Sequence, residues 1–235
     1  MAYRRLPNTD IARIRALKQA IKKSNETDFK NLAVSPATLS EAKKVVGRFE
    51  QLTLRYQETF DTQVKANILF QDKVKTAKMY ISHFIQVLHM SVIRKEIRED
   101  HLEFYGLEDA ELLVPDMLSN EQTLEWGERI IKGERKRIAE GGVPIYNPGI
   151  ARVKVMYDIF KEGYQTQKIH QRSTNRVQEE VSNYRAIIDD VILRLWNEVE
   201  EKYATLPQAE RISKNKEYGL IYYYRKKKSE KTEKE

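Results

Sequence analysis

The sequence runs through one pattern twice, and a chain that repeats its helix starts, apolar anchors and closing turn has few architectures open to it. Ser35-Pro36 is answered by Asn147-Pro148, and Phe84 with Val87 by Trp196 with Val199, each 112 residues on; Tyr105-Gly106-Leu107 returns as Tyr218-Gly219-Leu220 after 113. We read this as an internal duplication: a first helical repeat at 1–110, a second at 111–220, and a basic, flexible C-terminal tail at 221–235. With 235 residues, one large domain or two of about half that size are both allowed by core-size scaling; the duplication favours two.

Within each repeat the period is helical. Asn8, Thr9 and Asp10 are cap-competent, and Ile11, Ile14, Leu17 and Ile21 follow as one apolar stripe that decays at Ser24 and Asn25. Ser35 then suits an N-cap and Pro36 the first helical position, where its missing N–H costs nothing. From there Leu39, Ala42, Val46, Phe49, Thr53, Tyr56 and Phe60 repeat in steps of three and four, the spacing of a packed helical seam. The frame continues through Gln63 and Asn67 to Phe70, Val74, Ala77, Ile81, Phe84 and Leu88. In the second repeat, Ser119 and Gln122 have capping-box spacing ahead of Leu124, Trp126, Ile130, Ile131 and Ile138, with Gly141-Gly142 to end the helix. Asn147-Pro148 starts Ile150, Val153, Tyr157, Phe160 and Tyr164, and the stripe resumes at Val177, Val181, Tyr184, Ile188, Val191, Leu195 and Val199.

The expected fold is therefore all-α: tandem helical bundles, two spectrin-like three-helix units, each long pattern folding back as a hairpin. Asp61-Thr62-Gln63 and Arg172-Ser173-Thr174-Asn175 hold matching places and are the candidate turns. The alternative is two very long antiparallel helices with short flanking helices, which the missing Gly and Pro between Gly47 and Gly106 would allow. On that alternative the polar seam residues Gln63, Asn67, Gln167, Gln171 and Gln178 would set register at a cost in stability; on the hairpin reading they meet only solvent.

Composition narrows the chemistry. Hydrophobic residues make up 40% and charged residues 33%, a balance able to bury a core. There is no Cys, which excludes disulfides, thiolate metal sites and thiol nucleophiles. The N-terminus, Met1 to Pro7, leads into a charged amphipathic pattern with no signal-peptide hydrophobic stretch, and no segment approaches the ~20 apolar residues of a membrane span. We expect a cytoplasmic protein with no membrane partner. Of the net charge of +7, the residues from Arg225 to Glu235 supply +3, from six basic and three acidic side chains.

Catalytic and metal motifs are not recognised. His83 and His89 are six apart and lie on different sides of a helix, outside the spacings that converge imidazole and carboxylate on a metal, while His101 and His170 stand among charges. Glu96, Glu99, Asp100 and Glu103, and in the second repeat Glu198, Glu200 and Glu201, are interleaved with Arg94, Lys95, Arg98 and Lys202 and read as hydrated, salt-bridged faces. Gly141-Gly142 is followed by Val143-Pro144 and not by a phosphate-loop Gly-Lys-Ser/Thr. We assign no catalytic, cofactor-binding or metal-binding residue and expect no cofactor.

What remains are candidate interaction residues. Trp126 and Trp196 sit on apolar stripes, as core filling or as interface anchors. Gly133-Glu134-Arg135-Lys136-Arg137 is one basic cluster. Tyr222, Tyr223 and Tyr224 followed by Arg225, Lys226, Lys227 and Lys228 combine aromatic faces with cations, the mixture that binds single-stranded nucleic acid; the same residues also suit an apolar anchor followed by a solubilising tail.

Trp196-Asn197-Glu198-Val199-Glu200, the Pro-started long helices and the closing Tyr-Gly-Leu resemble a group of bacterial, mainly Bacteroidetes-type, helical proteins with no assigned activity, over nearly all of the chain before the tail. That resemblance implies a bacterial helical protein and carries over no catalytic residue. The halves are also similar in architecture to tandem spectrin-like bundles, which licenses no function. The expected function is a non-enzymatic protein-interaction or scaffold protein, its protein partner unidentified or a second copy of itself. The alternative is a nucleic-acid-associated protein using the basic aromatic C-terminal segment.

Overall fold

Thr9 begins the helical structure as the local sequence requires: its side chain accepts the Ala12 amide and opens α1 (Asp10–Asn25). In a computed structural model that describes residues 2–108 and 111–224, the chain is mostly helical. A short 3-10 helix, Phe29–Asn31, leads to α2 (Pro36–Ile93); another, Glu99–Tyr105, precedes α3 (Asn120–Ala139), and α4 (Ile150–Lys202) and α5 (Gln208–Glu217) follow. Two three-residue strands, β1 (Ala2–Arg4) and β2 (Tyr222–Tyr224), pair antiparallel. Among the described residues no helix is long and apolar enough to cross a membrane.

The hairpins are not formed. α2 runs 58 residues and α4 runs 53, and both candidate turns, Asp61–Gln63 and Arg172–Asn175, lie inside them. The physical reason is that no residue in either run breaks a helix: Asp, Thr, Gln, Arg, Ser and Asn cost a few tenths of a kcal/mol each, about what one side-chain contact returns. Pro36 is the first residue of α2 as expected, whereas α4 begins at Ile150, two residues after Pro148.

The described chain divides into two compact units, and neither matches a sequence repeat. One unit is Met1–Glu58 with Asn175–Glu235; the other is Thr59–Thr174. The expected division near residue 110 falls inside the second unit.

In the first unit, Leu17 and Ala20 of α1, Phe49 and Leu52 of α2, and Ile188, Leu195 and Trp196 of α4 share one core with Tyr218 and Leu220. Here α2 and α4 run antiparallel: Thr38 Oγ1 donates to Glu198 Oε1, Arg194 bonds Glu41, and the Phe49 and Tyr184 rings stack. Glu198 is no free surface carboxylate. It accepts the Ser35 amide at 2.6 Å and the Thr38 hydroxyl at 2.6 Å, placing negative charge on the first turn of α2, where unsatisfied amides and the helix dipole favour it.

In the second unit, Ile81, Phe84 and Leu88 of α2 pack with Ile130 and Ile131 of α3, Val153 and Phe160 of α4, and Tyr105 and Leu107. Ser119 and Gln122 form the expected capping box at the start of α3. Tyr-Gly-Leu does the same task in both units. Tyr105 and Tyr218 are wholly buried, Leu107 and Leu220 nearly so, and Gly106 and Gly219 between them have φ of +67° and +85°, a left-handed backbone that glycine adopts without strain.

Candidate functional site

The chain termini build the most chemically defined surface of the first unit. In the β1–β2 ribbon Tyr3 lies opposite Tyr223 and Arg4 opposite Tyr222. Because side chains alternate along a strand, Arg4 and Tyr222 share one face, and Tyr3 and Tyr223 the other. The first face is tied down. Arg4 Nη1 donates to Asn197 Oδ1 and to Glu200 Oε2, each at 2.8 Å, while the Tyr222 hydroxyl donates to Glu200 Oε1 at 2.6 Å and accepts from Asn215 Nδ2 at 2.7 Å. Burial, then the bond to the Glu200 carboxylate, push the Tyr222 phenol up to about 12. On the other face Tyr3 and Tyr223 are 49% and 43% exposed with ring centroids 6.2 Å apart, and the Arg5 guanidinium sits 5.4 Å from the Tyr223 ring centre.

This corrects part of the expected tail. Tyr222–Tyr224 form a strand, and Tyr222 is engaged by Glu200 and Asn215, leaving Tyr223 and Tyr224 exposed. Arg225, Lys226, Lys227 and Lys228 lie outside the described residues. Tyr3 and Arg5, absent from the sequence-based candidates, join Tyr223 because β1 pairs with β2. No local pattern announces a pairing between residues some 220 positions apart.

The other candidates separate. Trp196 is wholly buried in the core of the first unit, which removes it as an interface anchor. Trp126 is half-buried on α3, with the Arg129 guanidinium 4.9 Å from its ring centre. The basic cluster at 133–137 does not hold together as a surface: Gly133, Glu134 and Arg137 point inward, and only Arg135 and Lys136 are exposed. One helical face carries positions i, i+1 and i+4, so a run of five residues cannot present all its charges on one side.

Inside the second unit the buried pair is fully partnered. Arg137 donates from Nε and Nη2 to the two Glu134 oxygens at 2.9 and 2.8 Å, the Tyr105 hydroxyl donates to Glu134 at 2.5 Å, and the Ile145 amide donates to Glu134 at 3.1 Å. Arg137 Nη2 also reaches the Val143 carbonyl at 2.8 Å. Together these bonds pin residues 142–146 as one wall of a cavity of about 840 Å³, whose opposite wall is the end of α2. There Lys95 turns with φ +60°, and the Glu96 and Ile97 amides both donate to the Ser91 carbonyl, leaving Arg94 and Arg98 at the rim. The rim cations are engaged by neighbours: Arg94 by Glu96 at 2.7 and 2.8 Å, Arg98 by His101 and Asp100. Of the expected salt-bridged face at 94–103, Arg94, Glu96 and Arg98 line this cavity, whereas Glu99, Asp100 and Glu103 do not. Among the described residues no group of three or more His, Cys, Asp or Glu is placed to hold a metal ion.

The second unit also carries an outward apolar step on α2. Ile68 and Leu69 are 63% and 68% exposed and are flanked by the exposed Lys65 and Asp72. These four stand at i, i+3, i+4 and i+7, one helical face. Neither Lys65 nor Asp72 is in an ion pair among the described residues. Of the polar seam residues, Gln63 and Gln167 are half-buried, with Oε1 atoms buried without a partner, whereas Asn67, Gln171 and Gln178 are exposed; Gln167 Nε2 and Gln71 Nε2 both donate to Asn67 Oδ1, at 3.3 and 3.4 Å.

No family model, curated protein or solved structure matches the chain significantly.

Proposed function

We propose that the chain is a non-enzymatic interaction or scaffold protein, cytoplasmic and descended from a duplicated helical unit, whose outer α2 face pairs with a second copy of itself. The observation that carries this reading is the self-complementary order Lys65, Ile68, Leu69, Asp72. In a two-fold contact residue i meets j while j meets i. Two antiparallel copies of α2 crossing midway between Ile68 and Leu69 set Lys65 of each against Asp72 of the other, with the apolar pair between. The remaining carboxylate clusters support a structural role: Glu198 caps α2, Glu200 holds the ribbon, and Glu134 is matched by Arg137 and Tyr105.

Such a patch is small, so the pairing is weak and concentration-dependent. Light scattering coupled to size exclusion should show the apparent mass rising with concentration towards twice the chain mass. Lys65→Asp alone and Asp72→Lys alone should each suppress that rise, and the double exchange should restore it. A concentration-independent monomer mass, or single variants that associate as the unaltered chain does, would end this reading.

A further inference from the structure

We infer that the outer face of the β1–β2 ribbon is a stacking platform for single-stranded nucleic acid, composed of Tyr3, Tyr223 and Arg5. The inference is independent of the α2 pairing, since it uses only residues of the first unit.

Three observations lead to it. The rings of Tyr3 and Tyr223 are about half exposed and adjacent, at 6.2 Å between centroids and 32° between planes, so they offer a joint π surface. Arg5 adds a planar cation beside Tyr223, and a guanidinium both stacks on bases and pairs with phosphate. In sequence alone, Tyr224 is followed by Arg225-Lys226-Lys227-Lys228, in a chain whose net charge of +7 favours a polyanion.

The ribbon's architecture separates anchoring from display. Arg4 and Tyr222 are used up on the inner face by Glu200, Asn197 and Asn215, which takes the nearby carboxylate out of the way of a polyanion. What is displayed is aromatic and cationic. An anionic lipid surface would use the cations and accept the ring edges at its headgroups, but has no flat π faces for a pair of adjacent rings to stack on, and an acidic peptide would gain from the cations but not from paired ring faces. Unpaired bases use both. Stacking inside a duplex covers the faces of all but its terminal pairs, so the platform selects single strands.

The test is fluorescence anisotropy with a labelled oligothymidylate and the full chain. Binding should weaken steeply as salt rises, because phosphate contacts release counterions. The double variant Tyr3→Ala with Tyr223→Ala should lose about ten- to a hundredfold in affinity, the scale of one stacked base, while Tyr3→Phe with Tyr223→Phe should keep it. An unchanged circular-dichroism melt of the Ala pair shows that its loss is not misfolding, and retained binding by the Phe pair shows that the rings and not the hydroxyls make the contact. The inference is overturned by an Ala pair that binds like the unaltered chain, by equal affinity for duplex, by tighter binding to polyglutamate or to phosphatidylserine vesicles, or by no oligothymidylate binding at low salt.

Discussion

Glu134 and Arg137 are the two ionised side chains that the second unit takes furthest from water, at 0% and 2% exposure. Burying a charge is tolerable only when its partner and its remaining hydrogen bonds come with it, and here Tyr105, Val143 and Ile145 complete the set. Glu134→Gln leaves Arg137 buried and uncompensated, and should cost about 3–5 kcal/mol in urea unfolding. Tyr105→Phe removes one neutral donor and should cost about 1–2 kcal/mol; equal losses in the two variants would show that the ion pair is not what matters. Tyr222 makes a separate, pH-dependent contribution. Its folded pKa, raised by burial and then by Glu200 to about 12, lies above the ordinary 10, so the folded state holds the phenolic proton more tightly. The stabilisation is complete below pH 10 and lost as pH rises towards about 12. Urea midpoints across that window should fall less steeply in Tyr222→Phe than in the unaltered chain. Part of the slope should remain, because burial and then Tyr218 hold Tyr203 up at about 12 as well. The sequence reading took Glu134 and Arg137 for a surface basic run because residue type alone carries no burial.

Elements differ in what their glycines are for, and α2 and α3 show the contrast. In α2, a Cβ at Gly47 would meet nothing within 4 Å, so this glycine only adds unfolded-state entropy and exposes backbone. Gly47→Ala should stabilise by about 0.5–1 kcal/mol. In α3, a Cβ at Gly133 would stand 2.5 Å from Tyr105 Cδ1 and 2.6 Å from the Phe104 carbonyl oxygen, which is backbone and cannot step aside. Gly133→Ala should therefore destabilise by about 1–3 kcal/mol, although alanine is the better helix former. Thermal melts of the two variants should move in opposite directions; a gain in both would mean that the close approach of α3 to Tyr105 is not maintained. Caps and periodicity made the helices readable from sequence, as Thr9, Ser119-Gln122 and Pro36 all open helices where expected. The continuity of α2 and α4 was not read correctly, because mildly unfavourable residues such as Asp61 and Ser173 yield to cooperative helix propagation when flanking turns are packed.

At the scale of the whole molecule each unit draws on both halves of the sequence. The first core joins Leu17 and Phe49 to Ile188 and Trp196; the second joins Phe84 and Tyr105 to Ile130 and Val153. Neither Met1–Leu118 nor Ser119–Glu235 contains all the residues of one core. Produced separately, each fragment should lack a cooperative melt, and mixing the two should restore helical signal and co-elution. A fragment that melts cooperatively as a monomer would contradict this division. The sequence by itself determined the helical class, the starts of α1, α2 and α3 and most of the apolar faces, because caps and three-four spacing are local and each residue's preference acts within a turn or two. Only the tertiary structure decided which stripes meet, that Arg137 is buried and Ile68 is not, and that Tyr3 joins Tyr223. Those outcomes depend on burying apolar area between segments far apart in sequence, an energy that belongs to the pair of surfaces and is written in neither alone.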